Sequence, residues 1–154
     1  MNLYLVRHAQ PKSENEDPRR PLSEKSRQDM QKISAFVVEH YDIHVKTILH
    51  SAKLRAQQTA DILSDHLHFS PILEEVTDLK PLDDPHIWAD RLSEMTEDVM
   101  FVGHLPHLGE LASILLAQNA HNKIGFMAGE IVCLQRDESG CWSLCWSVKP
   151  EDVE

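Results

Sequence analysis

Residues 2–9 read Asn-Leu-Tyr-Leu-Val-Arg-His-Ala. The nearly continuous apolar run over 2–6 is the pattern of a short parallel strand covered on both faces, since a half-exposed strand would alternate. The run stops on Arg7 and His8, two polar groups delivered to the strand's carboxyl end. The rest of the chain repeats this arrangement. Val45 to Leu49 and residues 71–76 read as further strands, and Val99 to Val102 is another buried one, ending on Gly103 and His104. Helical periodicity fills the gaps. Ser23 caps a helix over about 24–40, with Glu24 in its first turn and Met30, Ile33, Val37 and Tyr41 on one face. Ser51 is placed to cap a second helix, with Ala56, Ala60, Leu63 and Leu67 as its stripe. Asp83-Asp84-Pro85 ends a loop that starts at Asp78, and a helix over about 86–95 follows. Pro106 suits a first helical position, and Leu108, Leu111, Ala112 and Leu115 give the next helix an apolar face. Residues 130–135 and 142–148, joined around Asp137-Glu138-Ser139-Gly140, read as an antiparallel hairpin. Strands alternating with helices predict an α/β protein, a three-layer α/β/α sandwich with a mostly parallel central sheet. No repeat, low-complexity tract or linker interrupts the chain, so residues 1–154 are expected to form a single domain.

The chain carries 15 Lys and Arg against 25 Asp and Glu, a net charge of −10, which argues against a nucleic-acid binder. Hydrophobic residues at 42% exclude a disordered chain. The charge is unevenly spread. Residues 1–60 hold 10 basic and 7 acidic side chains, whereas residues 61–154 hold 5 and 18. No apolar run is long enough for a spanning helix, and the N-terminus lacks the basic start and apolar core of a signal peptide. Cys133, Cys141 and Cys145 are odd in number and are expected as buried or half-buried free thiols of a cytoplasmic protein. The polar stretch from Lys12 to Arg20 is expected to be a mobile surface loop.

Three polar positions sit at predicted strand ends. Arg7-His8 follows the first strand, Arg55 falls in the first turn of the helix after the second, and His104 ends the strand over 99–102. In open α/β sheets, ligands bind beyond the carboxyl ends of the strands, and helix N-termini there favour anions. Two arginines and two histidines converging on that rim make a phosphate site, because guanidinium forks match phosphate oxygens. Taken singly, each residue also fits a surface or structural role; their order and shared strand context point to the site.

The segments around these positions resemble those of the histidine phosphatase superfamily. Leu5-Val6-Arg7-His8-Ala9 is similar to its Arg-His-Gly signature. Ser51-Ala52-Lys53-Leu54-Arg55-Ala56-Gln57-Gln58-Thr59-Ala60 is similar to its Ser-Pro-x-x-Arg-Ala-x-Gln-Thr-Ala segment. Val102-Gly103-His104-Leu105-Pro106-His107-Leu108 resembles the Gly/Ser-His-x-Pro segment of the SixA-type phosphohistidine phosphatases, and Arg20-Pro21-Leu22-Ser23 their Arg-Pro-Leu-Thr stretch. Ala9 stands in place of Gly, Ala52 in place of Pro, and Ser26 where Gly commonly follows. The absence of a large insertion also fits that small group. The resemblance implies a phosphoglycerate mutase-like fold and a phosphatase. In it His8 is the nucleophile, and Arg7, Arg55 and His104 bind the phosphoryl group, with Arg20 as an added contact. No cofactor and no metal are expected, since most of the other histidines fall on predicted surfaces or helix ends and no thiolate cluster joins them.

The chemistry supports that assignment. Attack requires a neutral imidazole with a free lone pair, and neighbouring Arg7 and Arg55 disfavour the imidazolium. A general acid is open: Glu75 and Asp78 are the candidates, whereas the SixA-type group is described as lacking one. The implied substrate is a phosphorylated protein of the histidine-containing phosphotransfer type, met by a monomer through the rim around Lys12, Arg19 and Lys53. The alternatives are a phosphomonoesterase acting on a small metabolite, a non-catalytic phosphate-binding module, and a metalloprotein built on His104-x2-His107. His40, His44, His66, His68, His86 and His121 are expected on surfaces or at helix ends.

Overall fold

The computed structural model of the chain describes residues 1–117 and 124–153; His121 lies outside them. In chain order the described residues form β1 (Asn2–Arg7), α1 (Glu24–His40), β2 (Thr47–His50), α2 (Leu54–His66), β3 (Ile72–Glu75), α3 (Pro85–Glu94), β4 (Val99–Gly103), α4 (His107–Leu115), β5 (Ile131–Arg136) and β6 (Trp142–Val148). The strands make one sheet in the order β3-β2-β4-β1-β5-β6. The first four are parallel, and β5 and β6 are antiparallel. This is the α/β architecture with a mostly parallel central sheet expected from the sequence.

The apolar run of β1 explains the layering. Tyr4 and Val6 point into one core with Met30 and Ile33 of α1 and Ala56, Ala60 and Leu63 of α2. Leu3 and Leu5 point into the other, with Trp88 and Leu92 of α3 and Leu108, Leu111 and Ala112 of α4. Both sets are buried, so the strand is apolar throughout rather than alternating. The helices separate by face because crossovers are right-handed: the chain moves outward from β1 to β3, then reverses to place β4 between β2 and β1. That reversal opens the crevice at the carboxyl ends of the strands.

Several local expectations are corrected. Ser51 does not cap α2: the helix starts at Leu54 with Lys53 at its N-cap, two residues too late for the Ser51 hydroxyl to reach its first turn. Pro106 occupies the N-cap of α4, because Glu110 N–H closes the first turn on its carbonyl at 3.1 Å. Cys133 is buried, but Cys141, just before β6, is exposed, and so is Cys145, because β6 is an outer edge strand and most of its residues face solvent. All three thiols are free. His40, His44, His68 and His86 are exposed and His66 is half-buried. The Lys12–Arg20 loop is closed at its base by the Pro11–Leu22 bridge and a Lys12 N–H to Pro21 carbonyl bond of 2.7 Å.

Candidate active site

Sheet register assembles the site. Arg7 is paired with Gly103, and His50 with Val102. The ladder runs one step further, with His8 N–H donating to the Gly103 carbonyl (3.0 Å) and Ser51 N–H to the Val102 carbonyl (3.2 Å). The carboxyl ends of β1, β2 and β4 therefore meet, and the rings of His8 and His104 lie 4.8 Å apart, tilted by 57°.

His8 is buried, and its Nδ1 donates to the Ala9 carbonyl at 2.8 Å. A carbonyl accepts only, so the proton sits on Nδ1 and Nε2 keeps its lone pair when the ring is neutral. Neutrality is enforced chiefly by burial and then by the charges of Arg55, Arg7 and Arg20, which together pull the pKa down to about 4. The sequence pointed to the arginines; the structure puts desolvation ahead of them. His104 is pushed further, to about 3, by burial and then by His8, Arg55 and Lys53.

The two arginines are held differently. Arg7 donates from Nη1 to the Phe126 carbonyl at 2.6 Å, and the buried carboxylate of Glu130 supplies its countercharge. Glu130 is itself fixed by the Met127 N–H at 3.0 Å. Arg55 is the second residue of α2, half-buried, and the proximity of Arg20 lowers its pKa further after burial. Arg20 has a left-handed backbone (φ 50°) and donates from Nε to the Lys12 carbonyl at 3.1 Å. It stands at the edge of the cluster, close enough for its charge to act on both His8 and Arg55. The first turn of α2 contains no acidic residue, and Lys53 makes no side-chain cap, so the helix's positive end adds to this field.

The structure thus brings together Arg7, His8, Arg55 and His104, with Arg20 beside them. Neither carboxylate candidate is among the groups acting most strongly on His8 or His104. Glu75 is exposed at the end of edge strand β3. Asp78 pairs with Arg91 Nη2 at 3.1 Å and accepts from Thr77 Oγ1 at 3.0 Å. Its charge acts on the buried His107, together with Asp83, Glu110 and Asp84. Among the described residues, no three His, Cys, Asp or Glu side chains are placed to hold a metal ion.

Sequence reasoning missed the residues that brace the cluster. Thr59 Oγ1 accepts the Ala9 N–H at 3.1 Å and donates to the Arg55 carbonyl at 2.8 Å, locking the segment after His8 to α2. Gln58 Oε1 accepts the Leu22 N–H at 2.8 Å and ties down the Arg20 segment. Both lie in the Arg-Ala-x-Gln-Thr-Ala stretch, which was the available signal. Glu130 had none.

Paired arginines and neutral histidines at the rim of a mostly parallel sheet are the equipment of a phosphoryl-transfer hydrolase, and this protein is a phosphatase. Residues 3–81 match the histidine phosphatase superfamily (branch 1), and the chain belongs to that superfamily. It is 25% identical over 155 residues to the phosphohistidine phosphatase SixA of Escherichia coli (strain K12), covering 97% of this chain and 94% of that protein. The solved structure of the protein histidine phosphatase SixA complexed with tungstate has the same fold, with a TM-score of 0.86 at 24% identity over 99% of each chain. The alpha-ribazole phosphatase from Shigella flexneri shares it at a TM-score of 0.76 and 15% identity, over 97% of each chain.

Proposed function

We propose that the chain acts as a single-domain cytoplasmic monomer that removes phosphate from phosphohistidine on a protein, of the histidine-containing phosphotransfer type. The observation that carries this reading is His8: neutral, buried, with its proton committed to the Ala9 carbonyl and Nε2 free beside three arginines. Nε2 attacks phosphorus, the substrate P–N bond breaks, and the leaving imidazole keeps the electron pair and takes a proton from water. Water then attacks the phosphorylated His8 and releases inorganic phosphate. Arg7, Arg55 and His104 hold the phosphoryl oxygens as charge develops, with Arg20 at the margin.

Substrate class follows from the leaving group. An imidazole leaves more readily than an alkoxide and needs less help from an acid. The side chains acting most strongly on His8 and His104 are cationic or imidazole, while Asp78 is engaged with Arg91. An ester reading has support in the shared fold of the alpha-ribazole phosphatase. In that case Glu75 or Asp78 would have to reach the leaving oxygen.

Kinetics on a phosphohistidine protein against a panel of small phosphate esters separates the two. The expected result is higher kcat/KM on the protein. Preference for a small ester overturns the substrate class. The variant His8→Ala is expected to lose turnover and phosphoenzyme together, and rapid-quench label on another residue overturns the mechanism.

A further inference from the structure

We propose that Ser51 is a positioning residue that holds His104 in the tautomer with its proton on Nδ1, presenting that N–H to a phosphoryl oxygen. The inference rests on the reading of His104 as a phosphate ligand and adds to it the means by which the ring is oriented.

Both side chains are buried, Ser51 at 0% and His104 at 1% exposure. Ser51 Oγ lies 2.6 Å from His104 Nε2 and also accepts the Lys53 backbone N–H at 3.3 Å. The direction of the short bond follows from what each atom has left to give. Ser51 has one hydroxyl hydrogen, and His104 Nε2 is its only acceptor among the described residues. Were Nε2 protonated instead, the hydroxyl hydrogen would be buried with no acceptor and the Nδ1 lone pair with no donor, two orphaned groups against the single Nδ1–H of the other arrangement. Ser51 therefore donates, Nε2 accepts with its lone pair, and a neutral ring must carry its proton on Nδ1. His104 Nδ1 is in turn a buried atom without a hydrogen-bond partner. An unpaired donor, set 4.8 Å ring to ring from His8 and in the field of Arg55, is preorganised for an anionic oxygen. The ring stays neutral because burial and its cationic neighbours oppose protonation, so the tautomer rather than the charge decides whether it donates.

The arrangement also explains why Ser51 does not serve α2. Its oxygen stabilises the turn before the helix through Lys53, and its hydrogen is reserved for His104.

Nitrogen-15 NMR of the histidine rings tests this directly, with His104 assigned by its loss in His104→Asn. In the unaltered protein the His104 signals are expected in the Nδ1–H pattern, and the Nδ1–H resonance should move on addition of vanadate. An Nε2–H pattern, or a resonance indifferent to vanadate that fills the site, overturns the proposal without any variant having to fold. Ser51→Ala is expected to shift the tautomer and lower kcat/KM on para-nitrophenyl phosphate on the order of 100-fold, the scale of one lost oxyanion donor. Ser51→Thr, which keeps the hydroxyl, should restore both. Unchanged tautomer and rate in Ser51→Ala also overturn it. If the protein shows the Nδ1–H pattern yet prefers small esters, the substrate reading fails and this inference stands.

Discussion

His8 and His104 are two imidazoles kept neutral by their surroundings, and this has opposite consequences for activity and stability. Folding lowers their pKa values from the usual 6.5 to about 4 and about 3. Activity that needs neutral His8 should persist on acidification until about pH 4, once the substrate's own ionisation is corrected for. An acid limb near 6.5 assigned to the enzyme would contradict the burial argument. For stability, the unfolded chain binds more protons than the folded one between those limits. Stability should therefore rise with pH through the window from about 4 to 6.5, by up to about 1.4 kcal/mol per pH unit for each histidine, and level off above it. Urea midpoints at pH 7.5, 5.5 and 4.5 check this, and His8→Asn should flatten part of the slope. A midpoint independent of pH below 6.5 would show that the rings are solvated. Single residues were also where the sequence was least complete. It supplied Arg7, His8, Arg55 and His104 from strand ends and motif, but not the hydroxyl of Ser51 as a partner of His104. That contact joins residues 53 apart and depends on register, which no local pattern records.

Among the elements, α2 carries Arg55, and α4 begins three residues after His104. Thr59 ties α2 to the amide of Ala9. Thr59→Val keeps the shape and removes both bonds. It should cost about 1 to 3 kcal/mol from the orphaned Ala9 N–H and raise KM for phosphoryl substrates by loosening the segment after His8. Thermal melts and steady-state kinetics read the two effects, and a variant equal to the parent in both would deny Thr59 its bracing role. In α4, a methyl group added at Gly109 would collide with the backbone carbonyl of Ile124. Gly109→Ala should therefore destabilise by about 1 to 3 kcal/mol, because backbone cannot rotate away as a side chain can. An unchanged melting temperature would show that the segment at Ile124 yields freely. Elements were the most legible level. Helix α1 was readable over its full length, because its cap and stripe are local. Strand order was not, because the insertion of β4 between β1 and β2 is decided by crossover hand and core packing. The exposure of Cys145 escaped for the same reason: nothing within Trp142–Val148 states that the strand is an edge.

The whole molecule sets a cationic cluster inside an acidic protein. Arg7, Arg20, Arg55 and Lys53 gather at one rim, while the chain carries a net −10. An anionic substrate is repelled by most of the surface and drawn to one place, which raises the rate of productive encounter rather than the chemical step. Raising salt from about 0.05 to 0.5 M should lower kcat/KM on a phosphorylated protein several-fold and leave kcat nearly unmoved, because screening acts beyond roughly 10 Å. Lys53→Glu should mimic the effect at low salt, and kcat/KM indifferent to salt would deny the rim a steering role. The uneven charge along the sequence foreshadowed this arrangement, although convergence of the segments on one rim comes only from the sheet. β1, which carries Arg7 and His8 at its end, is paired on one side with a strand that begins at Val99 and on the other with one that begins at Ile131. The candidate site is therefore expected to be completed late in folding, since closing such long loops is slow compared with winding the helices. In a refolding experiment the helical signal should return first and turnover last, so recovered activity serves as a clock for the final strand pairing.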